Sequence, residues 1–185
     1  MNVDKQAGMK RLLIALSIVV LAGFGCAKAP VTDGPSADGS WPYVNNDYGL
    51  QMTLPTGVEV RTREAENRKS DYLGFDADHF ASLRDTVRDE KATNLAYFYA
   101  VSKLSADEFK TALEASNETG AVKAKSIEDV TINGIAMKKI TSTTEMGEDK
   151  VHYLFDAKES TIIVSQFIGE EAGFDRVFAT MTLRN

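Results

Sequence analysis

The chain has one cysteine, Cys26, so no disulfide can form within it. It has two histidines, His79 and His152, which excludes a zinc site built on three imidazoles. No Gly-x-Ser-x-Gly elbow, Ser-x-x-Lys motif or glycine-rich phosphate loop occurs in it, so the common signatures of serine hydrolases and nucleotide-binding enzymes are missing. Positive charge is scarce as well, with 21 basic side chains against 27 acidic ones. An acidic surface argues against binding nucleic acid, because phosphate contacts need cations. The largely apolar run from Leu12 to Phe24 has 13 residues, short of the roughly 20 that a membrane-spanning helix needs. There is no internal repeat.

The N-terminal stretch is Met9-Lys-Arg-Leu-Leu-Ile-Ala-Leu-Ser-Ile-Val-Val-Leu-Ala-Gly-Phe-Gly-Cys26. Two cations, an apolar run and small residues before the cysteine form the layout of a secretory signal peptide over residues 1–25. Residues 1–8 read as an upstream extension, with Met9 as the alternative start. Cutting before Cys26 would leave 160 residues carrying 18 basic and 26 acidic side chains, a net charge of −8.

The stretch resembles bacterial lipoprotein precursors. Those carry an aliphatic residue three positions before the cysteine, followed by two small residues that lead into the cysteine. Here the box reads Gly23-Phe24-Gly25-Cys26: Gly25 fits, Gly23 and Phe24 depart, and Leu21 sits two places too early. The resemblance implies a lipid on Cys26, which would also explain a lone thiol in an exported protein. Ala27, rather than Asp, follows the cysteine, and that implies the outer membrane, facing the periplasm, in a cell with two membranes. The rival is ordinary cleavage near Gly25-Cys26-Ala27 and release of a soluble protein.

Residues 26–40 are expected to form the lipidated cysteine and a flexible linker. Ala27–Ser40 is rich in Gly, Pro, Ser and Asp and cannot bury enough apolar surface to offset its ordering entropy. As a coil its 14 residues would average roughly 20 Å end to end.

Residues 41–185 are expected to be a single globular α/β domain, of a length that can bury a sizeable core. Leu50, Met52 and Leu54 alternate with polar residues and predict a strand. Pro55-Thr-Gly57 turns it into a second strand carrying Val58 and Val60. The charge-dense residues 61–74 read as a loop. Phe80, Leu83 and Val87 fall at helical spacing and predict a short helix over Asp76–Lys91, capped by Asp76 or Asp78. Leu95–Leu104 is apolar on both faces, as in a central strand. Ser105-Ala-Asp-Glu108 is a capping box opening a helix with Phe109 and Leu113 inward. Asn133-Gly134 between Val130/Ile132 and Ile135/Met137 is a strong hairpin signal. Two more strands follow, turning at Lys158-Glu-Ser160. A closing helix carries Phe174, Val177, Phe178 and Met181 and runs to Arg184-Asn185.

This order of elements, from Tyr48-Gly49-Leu50 and Leu54-Pro-Thr-Gly-Val58 through the capped helix and the Asn-Gly hairpin to Val151-His-Tyr-Leu-Phe155 and Thr182-Leu-Arg184, resembles the PsbP-like superfamily over about residues 42–184. The resemblance implies an α+β fold, an antiparallel sheet flanked by helices in a three-layer α/β/α sandwich. It also implies binding or assembly rather than catalysis. No functional residue transfers, because the matched positions are turns and core.

The best ligand-like cluster is Asp76-Ala-Asp78-His79, two carboxylates and an imidazole that could hold a divalent cation. It lacks the third acid and the glycine of a calcium loop, and helix capping explains it equally. His152 shares a strand face with Leu154 and reads as structural. The charged run from Arg61 to Lys91 reads as a solvated face, and Tyr97, Phe98 and Tyr99 as core. The expected function is therefore that of a membrane-tethered, non-catalytic envelope protein, lipidated at Cys26 and binding a protein partner or small ligand without a cofactor. The alternatives are a metal-dependent hydrolase using Asp76, Asp78 and His79, and a structural or assembly factor.

Overall fold

The computed structural model describes residues 39–86, 93–115, 123–143, 147–167 and 169–184. Cys26, the signal stretch and the linker up to residue 38 lie outside the described residues, as do 87–91, the end of the expected Asp76–Lys91 helix.

Alternation of apolar and polar residues makes Leu50–Leu54 (β2) a strand. It pairs antiparallel with Trp41–Asn45 (β1) on one side and with the short Thr182–Leu183 (β11) on the other. Gly49 permits this closure. Its φ is +68°, and a Cβ there would lie 2.4 Å from the Arg184 carbonyl oxygen. The Arg184 N–H donates to the Gly49 carbonyl at 2.7 Å.

The Pro55–Gly57 turn, closed by the Val58 N–H donating to the Pro55 carbonyl at 3.0 Å, passes the chain into a larger sheet. That sheet contains Val58–Thr62 (β3), Lys69–Tyr72 (β4), Phe75–Asp85 (β5), Thr93–Val101 (β6), Lys123–Ile132 (β7), Ile135–Thr143 (β8), Asp149–Ala157 (β9) and Ser160–Gln166 (β10). The spatial order is β3-β5-β6-β10-β9-β8-β7, and β4 lies along the same edge of β5 as β3. Every ladder is antiparallel.

Both faces of the sheet carry apolar cores, as the two-sided pattern of Leu95–Leu104 predicted. On one face Ala106–Ala115 (α1) buries Phe109 and Leu113 against Tyr99, Val101, Ile140, Leu154 and Ile163. Its capping box forms as expected: Glu108 N–H donates to Ser105 Oγ at 3.2 Å, and Ser105 N–H to Glu108 Oε2 at 2.8 Å. On the other face Glu171–Phe178 (α2) presents Phe174, Val177 and Phe178 to a core shared with Leu50, Met52 and Leu54 of the small sheet and with Phe80, Leu83, Phe98 and Ile162. Among the described residues the fold is thus dominated by antiparallel sheet, with two short α-helices.

Three expectations need correction. Asp76–Asp85 is strand, not helix: it belongs to β5. The ladder with β6 slips between His79 and Ala81, so Phe80 is an extra, bulged residue. The bulge sets Phe80 and Leu83 three apart on one face, which mimics helical spacing. Residues 61–74 are not one loop, since they hold the end of β3, a short 3-10 turn over Ala65–Asn67, and β4. Finally, the closing helix stops at Phe178, and after a turn Thr182–Leu183 form β11.

Candidate functional site

Two hairpins lie side by side in the large sheet and share a ladder over only part of their length. β7 and β8 close on Asn133-Gly134, with Ile132 opposite Ile135. Asn133 and Gly134 have φ of +50° and +79°, the two left-handed residues that an Asn-Gly turn supplies. β9 and β10 close on Lys158-Glu159, with Ala157 opposite Ser160. β8 and β9 pair from Thr143 opposite Asp149 to Lys138 opposite Leu154, and there the ladder ends. Ile135–Met137 and Phe155–Ala157 run on without facing partners, and a cleft of about 860 Å³ opens between them.

The two hairpin tips are fastened to different places, which accounts for the split. Asn133 Nδ2 donates to the Met181 carbonyl at 3.1 Å and also to the Ala179 carbonyl, just beyond α2. Lys158 Nζ donates to the Asp47 carbonyl at 2.8 Å and to that of Asn46, in the turn between β1 and β2.

The two-residue hairpins also fix which backbone groups face the cleft. In an antiparallel ladder hydrogen-bonded pairs alternate with non-bonded ones. Ile132–Ile135 and Ala157–Ser160 are the bonded pairs that close their turns. Hence the N–H and C=O of Ala136 and of Asp156 point away from their own hairpins, toward each other across the gap.

The lining is apolar at depth and charged at the rim. Ile135, Met137, Leu154 and Phe155 are buried. On one wall Lys138 Nζ lies 2.6 Å from Asp129 Oδ1; on the other Lys103 Nζ lies 3.0 Å from Asp156 Oδ1. Thr161 Oγ1 ties the second wall to the start of α1, donating to Asp156 Oδ1 at 3.1 Å and accepting from Leu104 N–H at the same distance. The charged groups on each wall are thus matched to each other. Such an arrangement could hold a ligand by shape and main-chain hydrogen bonds.

The residues singled out from the sequence lie elsewhere. Asp76 is exposed near the tip of the β4–β5 hairpin. Asp78 accepts from Arg68 Nε at 2.7 Å and from the Tyr48 hydroxyl, and it pairs with Arg68 Nη2 at 2.7 Å. Arg68 also donates to Asp47 Oδ2 at 2.9 Å. This cluster joins the turn between β1 and β2 to β5. Burial, and then the bond to Asp78, push the Tyr48 hydroxyl well above its usual range. His79, the next residue on the strand, points to the opposite face. It packs 4.6 Å from the Tyr99 ring and 5.0 Å from Tyr97, with Nε2 3.2 Å from Ser82 Oγ. Burial and then the charge of Arg63 lower its pKa to about 4. The strand thus separates the carboxylates from the imidazole, and among the described residues no three His, Cys, Asp or Glu side chains come together.

His152 is completely buried on the Leu154 face. Its ring meets Phe109 edge-on at 5.2 Å, and Nδ1 lies 3.5 Å from the Tyr72 hydroxyl. Its Nε2 has no partner. Burial and then the charge of Lys150 bring its pKa down to about 3. Tyr97, Phe98 and Tyr99 pack in the cores, as read from the sequence.

Comparison with solved structures bears on the architecture. The solution structure of cyanobacterial PsbP (CyanoP) from Synechocystis sp. PCC 6803 is similar with a TM-score of 0.51, over 84% of this chain and 100% of that one. The fold is PsbP-like. The two sequences are 10% identical, so the likeness is one of backbone path and carries no residue roles. The sequence matches no protein-family model and no curated protein. Within the PsbP-like fold the cleft residues were not singled out from the sequence. The Asn-Gly and Lys-Glu turns were visible signals, but the place where the two ladders part depends on the tertiary bonds of Asn133 and Lys158.

Proposed function

We propose that this chain is an exported envelope protein, anchored by a lipid on Cys26 to the outer membrane of a two-membrane cell. In this reading the folded part is a three-layer α/β/α module that binds a protein partner or small ligand and catalyses nothing. The observation that carries the binding role is the cleft between β8 and β9. Its size falls within the roughly 300–1,000 Å³ usual for ligand sites, its floor is apolar, and its rim charges are already paired. The anchor is supported by the sequence from Met9 to Cys26.

Metabolic labelling with a fatty acid tests the anchor in wild type and Cys26→Ala. Label on wild type alone, together with membrane fractionation, is the expected result; equal labelling, or a wholly soluble wild type, removes the anchor from the reading. A metal-dependent hydrolase on Asp76, Asp78 and His79 makes a different forecast: millimolar divalent cation would raise Tm by mass action. On the proposed reading Tm stays put.

A further inference from the structure

We propose that the cleft between β8 and β9 receives an extended segment of a partner protein, hydrogen-bonded main chain to main chain at Ala136 and Asp156. The inference rests on the binding-module reading and names its partner.

The chemistry of the walls selects this occupant. A strand edge inside a sheet normally spends its N–H and C=O groups on the neighbouring strand, and an open edge is a template for another strand. Here the ladder stops at Lys138–Leu154, and the next pair in register, Ala136 with Asp156, is not formed. Both residues are exposed, and both line the cleft. Three residues on each side, Ile135–Met137 and Phe155–Ala157, give an open edge of about 10 Å at the usual rise per residue. Ile135, Met137 and Phe155 are buried on one face of the sheet beside the edge and Leu154 on the other, so apolar side chains flank the alternate side chains of an inserted strand on both faces.

Charge narrows the choice. Asp129 and Asp156 are matched by Lys138 and Lys103, so the walls offer no net charge, and the centre of the guest segment is uncharged. A second copy of this chain is a poor guest, because the portion after Cys26 carries 18 basic and 26 acidic side chains and like copies repel. The chain's own linker is poor too: Pro30 and Pro35 lack the N–H that a ladder needs, and Gly34 weakens a strand.

The test uses the full chain in detergent micelles. It is panned against a random linear octapeptide phage library, and enriched peptides are synthesised. Their binding is measured by fluorescence anisotropy and by amide hydrogen exchange. Exchange at Ala136 and Asp156 should slow at least tenfold on binding. Ala136→Pro removes one cleft-facing donor while sparing the β7 ladder, which that N–H does not serve, and it should weaken binding at least tenfold with Tm little changed. Should that variant fail to fold, peptides N-methylated at alternate amides make the same test on wild type and should lose affinity equally. The proposal is overturned if no peptide enriches, if enriched peptides bind Ala136→Pro and their N-methylated forms as well as the parents, or if wild type sediments as a dimer that Ala136→Pro dissolves. Nile red separates the two levels of inference. If no peptide enriches but the dye binds and is expelled by Ala136→Trp, the cleft is a small-ligand site and only the peptide proposal falls. If neither binds, the binding-module reading falls with it.

Discussion

Replacing His152 with leucine should leave the protein folded and remove about half of its acid sensitivity between pH 7.5 and 5. The imidazole is fully buried under α1, with Nε2 unpartnered and Nδ1 3.5 Å from the Tyr72 hydroxyl. Its folded-state pKa is about 3, against 6.5 for the free group. A depressed pKa means that the fold favours the neutral ring. The stabilisation is therefore complete above pH 6.5, and it drains away as pH falls through the window from 6.5 to 3. Worked through linkage at 1.36 kcal/mol per unit, His152 alone costs about 2 kcal/mol at pH 5 and about 3 kcal/mol at pH 4, relative to neutral pH. His79, lowered to about 4, acts in the same direction and costs about 2 kcal/mol at pH 5. Urea unfolding followed by circular dichroism at pH 7.5, 6 and 5 should thus show wild type losing about 4 kcal/mol and His152→Leu about 2 kcal/mol. At pH 7.5 the variant should lie within about 1.5 kcal/mol of wild type, since leucine is close in size and leaves no orphaned nitrogen. Identical pH profiles for the two proteins would refute the argument, because they would mean that His152 takes up its proton without disturbing the fold.

Other sites give sharper or smaller effects. Gly49→Ala forces a Cβ to within 2.4 Å of the Arg184 carbonyl at a φ of +68°, so it should cost about 2–3 kcal/mol in thermal or urea unfolding and release β11. Tyr48→Phe deletes the hydroxyl that binds Asp78 and should cost about 1–2 kcal/mol, read in the same assay. Ser105→Ala removes the N-terminal cap of α1 and should cost about 1 kcal/mol, with faster amide exchange in the first turn of that helix. Asn133→Gly keeps the turn's backbone geometry but loses the bonds to Ala179 and Met181. It should lower stability by about 1–2 kcal/mol and slow amide exchange at Ala136 as the freed tip closes toward β9.

Local signals in the sequence survived folding intact. Ser105 and Glu108 cap each other as their spacing requires, Asn133-Gly134 closes its hairpin, and the two-sided apolar pattern of Leu95–Leu104 lies between two cores. What misled was a departure from period two. Phe80 is bulged out of the β5–β6 ladder, so the large apolar residues Phe80 and Leu83 fall three apart on one face, as in a helix. The hairpin at Leu73-Gly74 was hidden among charges, although Tyr72 and Phe75 face each other across it. Its first turn residue is a leucine at φ +58°, a conformation that sequence rules assign to Asn or Gly. The metal-like trio Asp76, Asp78 and His79 dissolved for the same reason. A strand sends Asp78 and His79 to opposite faces, where Arg68 and Tyr48 take up the carboxylate and Tyr97 and Tyr99 enclose the ring.

The cleft could not be read from the sequence because it results from a competition between distant bonds. Zipping Ala136 to Asp156 would add one bonded ladder pair, two hydrogen bonds worth about 1 kcal/mol each. Holding the tips apart keeps two bonds from Asn133 and two from the Lys158 ammonium. Solvent screening keeps the exposed Lys158 bonds to about 1 kcal/mol each, so four bonds against two favour the separated arrangement by about 2 kcal/mol. The gap is therefore a resting feature of the empty fold. A strand entering it would find the edge groups already exposed and the walls already placed, and it would bear little of the reorganisation cost that usually weakens peptide capture. Loosening either tip should erode that readiness before it erodes the cores on the two faces of the sheet. Peptide affinity is accordingly a more sensitive readout of Asn133 and Lys158 than Tm.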